Sequence, residues 1–112
     1  MFDLEGKKAL ITGASGGIGK EIAKVLIDHN AEVCVSGRNL DELNALKKSL
    51  GEKCYVVACD LSKKDEISEL VKKTDELLGH IDILVNNAGI TKDNIFLRMS
   101  ENEWEDVLNV NL

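Results

Sequence analysis

The 112 residues carry 14 Lys and Arg against 20 Asp and Glu, for a formal net charge of -6, with 44% hydrophobic residues, a balance that fits one folded domain at most, near the lower end of what buries its own core. The acidic surplus argues against nucleic acid as a general partner, because phosphate binding needs clustered cations. No apolar run approaches the roughly 20 residues of a membrane span, and the acids in the opening MFDLEGKKAL do not fit a secretory leader, so the expected location is cytoplasmic. The first element is a strand over about 7–12, built on the short β-branched run ALIT. A helix follows, with Ile18, Ile22, Val25 and Leu26 on one face, closing at DHNAE, where Asn30 can adopt the left-handed conformation that ends helices. VCVS predicts a second strand over 32–37. Asn39, with Glu42 three residues on, marks the start of a second helix near 40 with Leu40, Leu43, Leu46 and Leu50 as its stripe. YVVAC predicts a third strand over 54–59. Ser62 with Asp65 starts a third helix near 63, whose face is Ile67, Leu70, Val71, Thr74, Leu77 and Leu78. IDILV predicts a fourth strand over 81–86, and Ser100 with Glu103 predicts a last helix from about 101.

Unbroken apolar strands alternating with amphipathic helices predict an α/β architecture, a doubly wound parallel sheet with right-handed crossovers, in a single domain over 1–112. Three cysteines, Cys34, Cys54 and Cys59, lack metal-ligand spacing and lie in or beside apolar runs, so they are expected to be reduced packing residues. His29 and His80 have no partner at a telling spacing and are expected to be structural or surface residues.

The chemistry concentrates where the first strand meets the first helix, in ITGASGGIGKEIAKVL. Gly13, Gly17 and Gly19 permit a tight turn, close backbone approach to a pyrophosphate and close helix packing, while the helix N-terminus offers free N–H groups to the anion. The alternative of a glycine-rich turn without ligand remains open on this motif alone. A nucleotide-hydrolysing P-loop does not: Ala14 stands at its first glycine and Glu21 where a Ser or Thr would hold magnesium.

The spacing Thr12-Gly13-x-x-x-Gly17-Ile18-Gly19 resembles the cofactor loop of the short-chain dehydrogenase/reductases. Three further motifs agree in order: CDL at Cys59 to Leu61, NNAG at Asn86 to Gly89, and Asn111 in NVNL. The resemblance implies a Rossmann-type sheet in the order 3-2-1-4, ending here after its fourth strand. It implies cofactor contacts from Gly13, Ser15, Gly16, Gly17, Ile18 and Gly19. Asp60, with Leu61, would meet the adenine amine, and Asn87, Ala88 and Gly89 would pass close to the cofactor. Asn111 would be the active-site asparagine.

An acid closing the second strand selects NAD by binding both ribose hydroxyls. Here Gly37 occupies that place and Arg38 follows, a planar cation suited to a 2′-phosphate, so NADP(H) is the expected cofactor. Gly16 stands where many NADP-dependent relatives carry a second basic residue, which leaves phosphate recognition to Arg38, helped by Ser15 and Asn39. The alternative makes Arg38 a solvated surface residue.

NNAGITKDNIFLRMSENEWEDVLNVNL resembles most the 3-oxoacyl-thioester reductases of fatty acid synthesis, although acetoacetyl-CoA reductases share much of the pattern. The implied reaction is reduction of an acyl-carrier-protein-linked 3-oxoacyl thioester by NADPH. In the family a tyrosine protonates the alkoxide, a lysine lowers its pKa, a serine polarises the carbonyl and the asparagine anchors a water. Only the asparagine is matched: the single tyrosine, Tyr55, is followed by Ala58 and Cys59 rather than by lysine. The 112 residues therefore look like the N-terminal half of such an enzyme, inactive alone, whose complete form is expected to be a homotetramer. With the sheet ending at its fourth strand, IDILV would be an exposed apolar edge and the chain prone to associate. Trp104 and Met99 are expected to anchor the last helix. A non-catalytic NADP-binding module is the alternative reading.

Overall fold

The computed structural model describes residues 3–14, 16–60, 64–86, 94–98 and 107–111. β1 (Lys8–Thr12), α1 (Gly17–Asp28), β2 (Glu32–Gly37), α2 (Leu40–Leu50), β3 (Cys54–Ala58), α3 (Lys64–Leu78) and β4 (Ile83–Asn86) alternate as the sequence pattern requires. β1 pairs in parallel with both β2 and β4, and β2 with β3, giving the order β3-β2-β1-β4.

Residues of successive parity on each strand enter opposite layers. Ala9 and Ile11 of β1 and Val33 and Val35 of β2 pack under α1 and α2, with Ala23, Leu43 and Leu46 from the helices. Leu10 and Cys34 point the other way, into a second core with Leu70 and Leu78 of α3 and with Ile81. A sheet buried on both faces explains why its strands read as continuous apolar runs. Leu43 is fully buried, and Leu43→Ala is expected to destabilise the chain by about 2–5 kcal/mol; a denaturant midpoint unchanged from the parent would contradict this packing.

Helix ends follow the local chemistry. Asn30 has φ 76°, its N–H donates to Ile27 O and that of Ala31 to Leu26 O, the paired bonds of a Schellman ending. Asn39 Oδ1 accepts the Glu42 N–H at 3.1 Å and caps α2. The caps inferred from Ser62 and Ser100 involve residues outside the described set.

The helix stripes are corrected at four positions. In α1, Ile18 and Val25 are 58% and 51% exposed, while Gly19 and Ala23 are buried, with Ile22, Leu26 and Ile27 against the core. Small residues let the helix approach the sheet closely, and the contact stripe rotates onto them. In α2 and α3, Leu40 and Leu77 are likewise exposed at the rims of their stripes.

The sheet also does not end at β4, and the last helix is replaced at its C-terminal part. β5 (Asn94–Arg98) pairs antiparallel with β4, and β6 (Val107–Asn111) pairs antiparallel with β5, giving the six-stranded order β3-β2-β1-β4-β5-β6. An unpaired apolar edge beside β4 would leave its N–H and C=O groups unsatisfied within the sheet, and β5 satisfies them. β4 is therefore not the edge strand expected from sequence, and the argument for association that started from that edge does not apply. Trp104 and Met99 lie outside the described residues.

Candidate functional site

The four parallel strands end in register. Thr12 is opposite Ser36 and Asn86, and Gly37 is opposite Ala58, so the segments following β1, β2 and β3 leave the same edge of the sheet. β1 is the point where the strand order reverses, with β2 on one side and β4 on the other, and ligands of open α/β sheets bind in the crevice at such a point.

Backbone bonds shape the first of these turns. Gly13 adopts φ 64°, the left-handed region that a side chain disfavours. Its carbonyl accepts the Gly16 N–H at 3.2 Å, while the Ala14 N–H donates to Ser36 O at 2.9 Å. Thr12 Oγ1 donates to Val85 O at 3.4 Å, tying β1 to β4 at the crevice.

Gly16 is the N-cap of α1 and contributes no side-chain cap, and the first turn of α1 has no acid. The first turns of α2 and α3, by contrast, hold Asp41 and Glu42, and Asp65 and Glu66. α1 therefore presents its first amides and its positive end without a carboxylate of its own beside them, an arrangement that suits a pyrophosphate. Gly17 begins that helix exposed, Ile18 is exposed at the mouth of the turn, and Gly19 is buried against the sheet.

Arg38 follows the end of β2, exposed, and makes no hydrogen bond or ion pair among the described residues. It lines a shallow surface depression with Asn39, Leu40 and Asp41. Asn39 spends its side-chain oxygen on the α2 cap, so the free cation there is Arg38, with the Asp41 carboxylate as a negative neighbour that the sequence motif did not mark.

Asp60 leaves β3 on the same edge. The Cys59 N–H donates to Gly37 O at 2.9 Å, holding this turn to β2. On its other side the Asp60 N–H donates to Glu66 Oε1 at 3.1 Å. No sequence motif marked Glu66, because a side chain reaching back six residues has no fixed spacing signature.

Ser15, Leu61, Asn87, Ala88 and Gly89 lie outside the described residues. Asn111 lies on β6, its backbone opposite Asn94, which is itself opposite Asn86. Asn111 thus falls on the same sheet edge as the glycine turn, three strand spacings from β1, or roughly 14 Å.

All three cysteines are free and buried. Burial raises each thiol above its ordinary value of 9.0, Cys54 to about 11; the Cys34 thiol sits against Thr74, and Glu66 and Asp60 raise Cys59 further. These are poor nucleophiles at neutral pH. Because the folded state holds protons that an unfolded thiol releases above pH 9, thiol ionisation should lower stability as pH rises from 9 towards 11. Native protein at pH 8 should react slowly with a disulfide reagent and give three thiols only on unfolding; rapid stoichiometric reaction in the native state would contradict the burial.

The chain is similar to known proteins along its whole length. A model of the short chain dehydrogenase family matches residues 7–112. Nodulation protein G of Rhizobium sp. (strain N33) is 49% identical over 112 residues, all of this chain and 46% of the relative. The 3-oxoacyl-[acyl-carrier-protein] reductase FabG of Vibrio harveyi is 43% identical over 111 residues, 99% of this chain and 46% of the relative. The crystal structure of 3-ketoacyl-(acyl-carrier-protein) reductase from Brucella melitensis complexed with NADH superposes with a TM-score of 0.71 at 34% identity, over 73% of this chain and 34% of that one. Actinorhodin polyketide ketoreductase with NADPH gives a TM-score of 0.72 at 38% identity, over 80% of this chain and 35% of that one. The chain spans about half the length of the curated relatives it matches.

Proposed function

Given that this chain belongs to the short-chain dehydrogenase family, we propose that it forms the cofactor-binding half of an NADPH-dependent reductase of 3-oxoacyl thioesters carried on acyl carrier protein. The observation that carries this reading is the convergence of the Gly13 turn, the uncapped start of α1, Arg38 and Asp60 on one sheet edge at the strand-order reversal. The donor set fits a phosphorylated dinucleotide. The first amides of α1 hold the pyrophosphate, the Arg38 guanidinium pairs with the 2′-phosphate, and the Asp60 carboxylate accepts from the exocyclic amine of adenine. Gly37 in place of an acid at the end of β2 removes the carboxylate that would repel that phosphate.

Bound NADPH would supply the hydride that the carbonyl carbon accepts. Ser15 and Asn39 assist at the phosphate, Leu61 accompanies Asp60, and Asn87, Ala88 and Gly89 line the cofactor at the end of β4. Asn111 orients a water for proton delivery. The serine, tyrosine and lysine of the family's chemistry belong to sequence other than these residues, so the 112 residues alone should turn over poorly: a positioned general acid is typically worth about 10²–10⁴-fold. The reductases named in the Vibrio harveyi relative and in the Brucella melitensis structure support a 3-oxoacyl substrate; the name nodulation protein G specifies no reaction. We further propose that the complete protein is a cytoplasmic homotetramer.

The coding sequence past Leu112 should contain a serine and Y-x-x-x-K, and the protein it encodes should oxidise NADPH with a 3-oxoacyl thioester, faster on acyl carrier protein than on coenzyme A. Absence of those residues, or no NADPH consumption with either thioester, would overturn the reductase reading and leave a non-catalytic NADP-binding module. Preference for coenzyme A would instead mark an acetoacetyl-CoA reductase.

A further inference from the structure

We propose that Glu66 is a positioning residue for adenine recognition, holding the turn that carries Asp60 through the hydrogen bond from the Asp60 N–H to Glu66 Oε1 at 3.1 Å. The proposal rests on the reading of Asp60 as the adenine contact. Glu66 lies in the first turn of α3, where a carboxylate ordinarily serves the amides of its own helix. Its side chain also reaches out of the helix, to the backbone of Asp60. A second bond runs beside it, from Cys59 Sγ to Glu66 O at 3.5 Å. On the opposite side the Cys59 N–H is held by Gly37 O at 2.9 Å.

The described part of the turn is therefore held to both β2 and α3, by bonds that differ in kind. The β2 anchor is a backbone bond continuing the ladder, which no side-chain substitution removes. On the α3 side the Glu66 carboxylate is a side-chain acceptor that a substitution does remove, and it acts on the residue whose carboxylate would read the base. Burial raises the Cys59 thiol, and the Glu66 and Asp60 charges raise it further. The Glu66 carboxylate oxygen accepts, so it fixes the backbone of Asp60 and with it the point from which the Asp60 side chain leaves the turn.

Adenine and hypoxanthine nucleotides separate this role from simple support of the fold. Adenine carries an exocyclic amine that donates to a carboxylate, whereas hypoxanthine carries a carbonyl oxygen there. The probes are ADP and IDP, titrated calorimetrically into the 112-residue chain and its variants, each first shown to melt cooperatively. The parent should favour ADP. Asp60→Ala should bring the two affinities within about twofold, since one charge-assisted hydrogen bond is lost. Glu66→Ala should lower the ADP-to-IDP ratio by about five- to tenfold with little change in IDP affinity, and Glu66→Gln, which keeps the acceptor oxygen, should restore most of it. If Asp60→Ala leaves the ratio unchanged, the adenine reading of Asp60 fails. If Asp60→Ala collapses the ratio but Glu66→Ala weakens ADP and IDP equally or neither, the positioning role of Glu66 is overturned. If Glu66→Ala does not fold, the Glu66→Gln ratio decides alone, a value below one third of the parent's contradicting the role of the acceptor.

Discussion

Replacing Arg38 with aspartate is expected to lower the affinity of the chain for NADP⁺ by on the order of 10²-fold while leaving or improving that for NAD⁺. The guanidinium is exposed and without a partner among the described residues, so its loss leaves no buried group unsatisfied and the fold should be unaffected. A phosphate that gains a charge-assisted pair with Arg38 loses about 1.5–3 kcal/mol when the cation goes, and a carboxylate in its place adds repulsion. The same carboxylate could accept from the free 2′- and 3′-hydroxyls of NAD⁺, the arrangement used where an acid closes β2. Asp41, which lines the same depression, already places one negative charge there, so the variant would hold two. Titration of parent and variant with both dinucleotides reads the effect directly. Unchanged selectivity would mean that Arg38 is a solvated residue at a strand end.

Gly13→Val is expected to fail differently, weakening NADP⁺ and NAD⁺ together by more than about tenfold and leaving their ratio intact. Gly13 sits at φ 64°, where a β-branched residue is a genuine outlier, and holding a residue in such a region costs about 1–3 kcal/mol. Its carbonyl accepts from Gly16 N–H, and the next amide donates to Ser36 O, so relieving the strain would shift both the start of α1 and the turn's tie to β2. For a domain of this size about 1 kcal/mol corresponds to roughly 4–8 °C in melting temperature, so the melt should fall visibly but remain cooperative. A variant with parental affinity for both dinucleotides would remove the glycine turn from the site. The pair of substitutions separates the common pyrophosphate anchor from the 2′ selectivity element, since one moves both affinities and the other only their ratio.

Much of this was legible in the sequence because the relevant physics is local. β-branched runs such as VCVS and YVVAC have little freedom but to be buried strands, and they form β2 and β3. Asn30 and Asn39 announced helix ends through their own backbone and side-chain chemistry, and both act there. The glycine turn was readable because a positive φ needs a particular residue type. What escaped was non-local. The α1 stripe was assigned to its largest apolar residues, yet Gly19 and Ala23 face the sheet, because close approach rewards small volume rather than hydrophobicity. NIFLR is missing from the strands read from sequence, and VLNVN falls within the helix that Ser100 and Glu103 predict. Short apolar segments are ambiguous in period, and in the fold their state is decided by the edge of β4, 8 or more positions away in sequence, on which β5 builds and β6 follows. Glu66 escaped for a related reason: its partner is the amide of Asp60, and a backbone amide has no sequence identity to match.

Binding of NADP at the carboxyl edge of β1 to β3 can be read from the amide resonances of the 112-residue chain as NADP⁺ is added. Saturable one-to-one binding is expected, with the largest shifts in Gly13 to Gly19, Arg38 and Asp60, and little change at the opposite edge around Lys8 and Asp82, which bond each other there. Absence of saturation at millimolar NADP⁺, or shifts confined to that opposite edge, would contradict it.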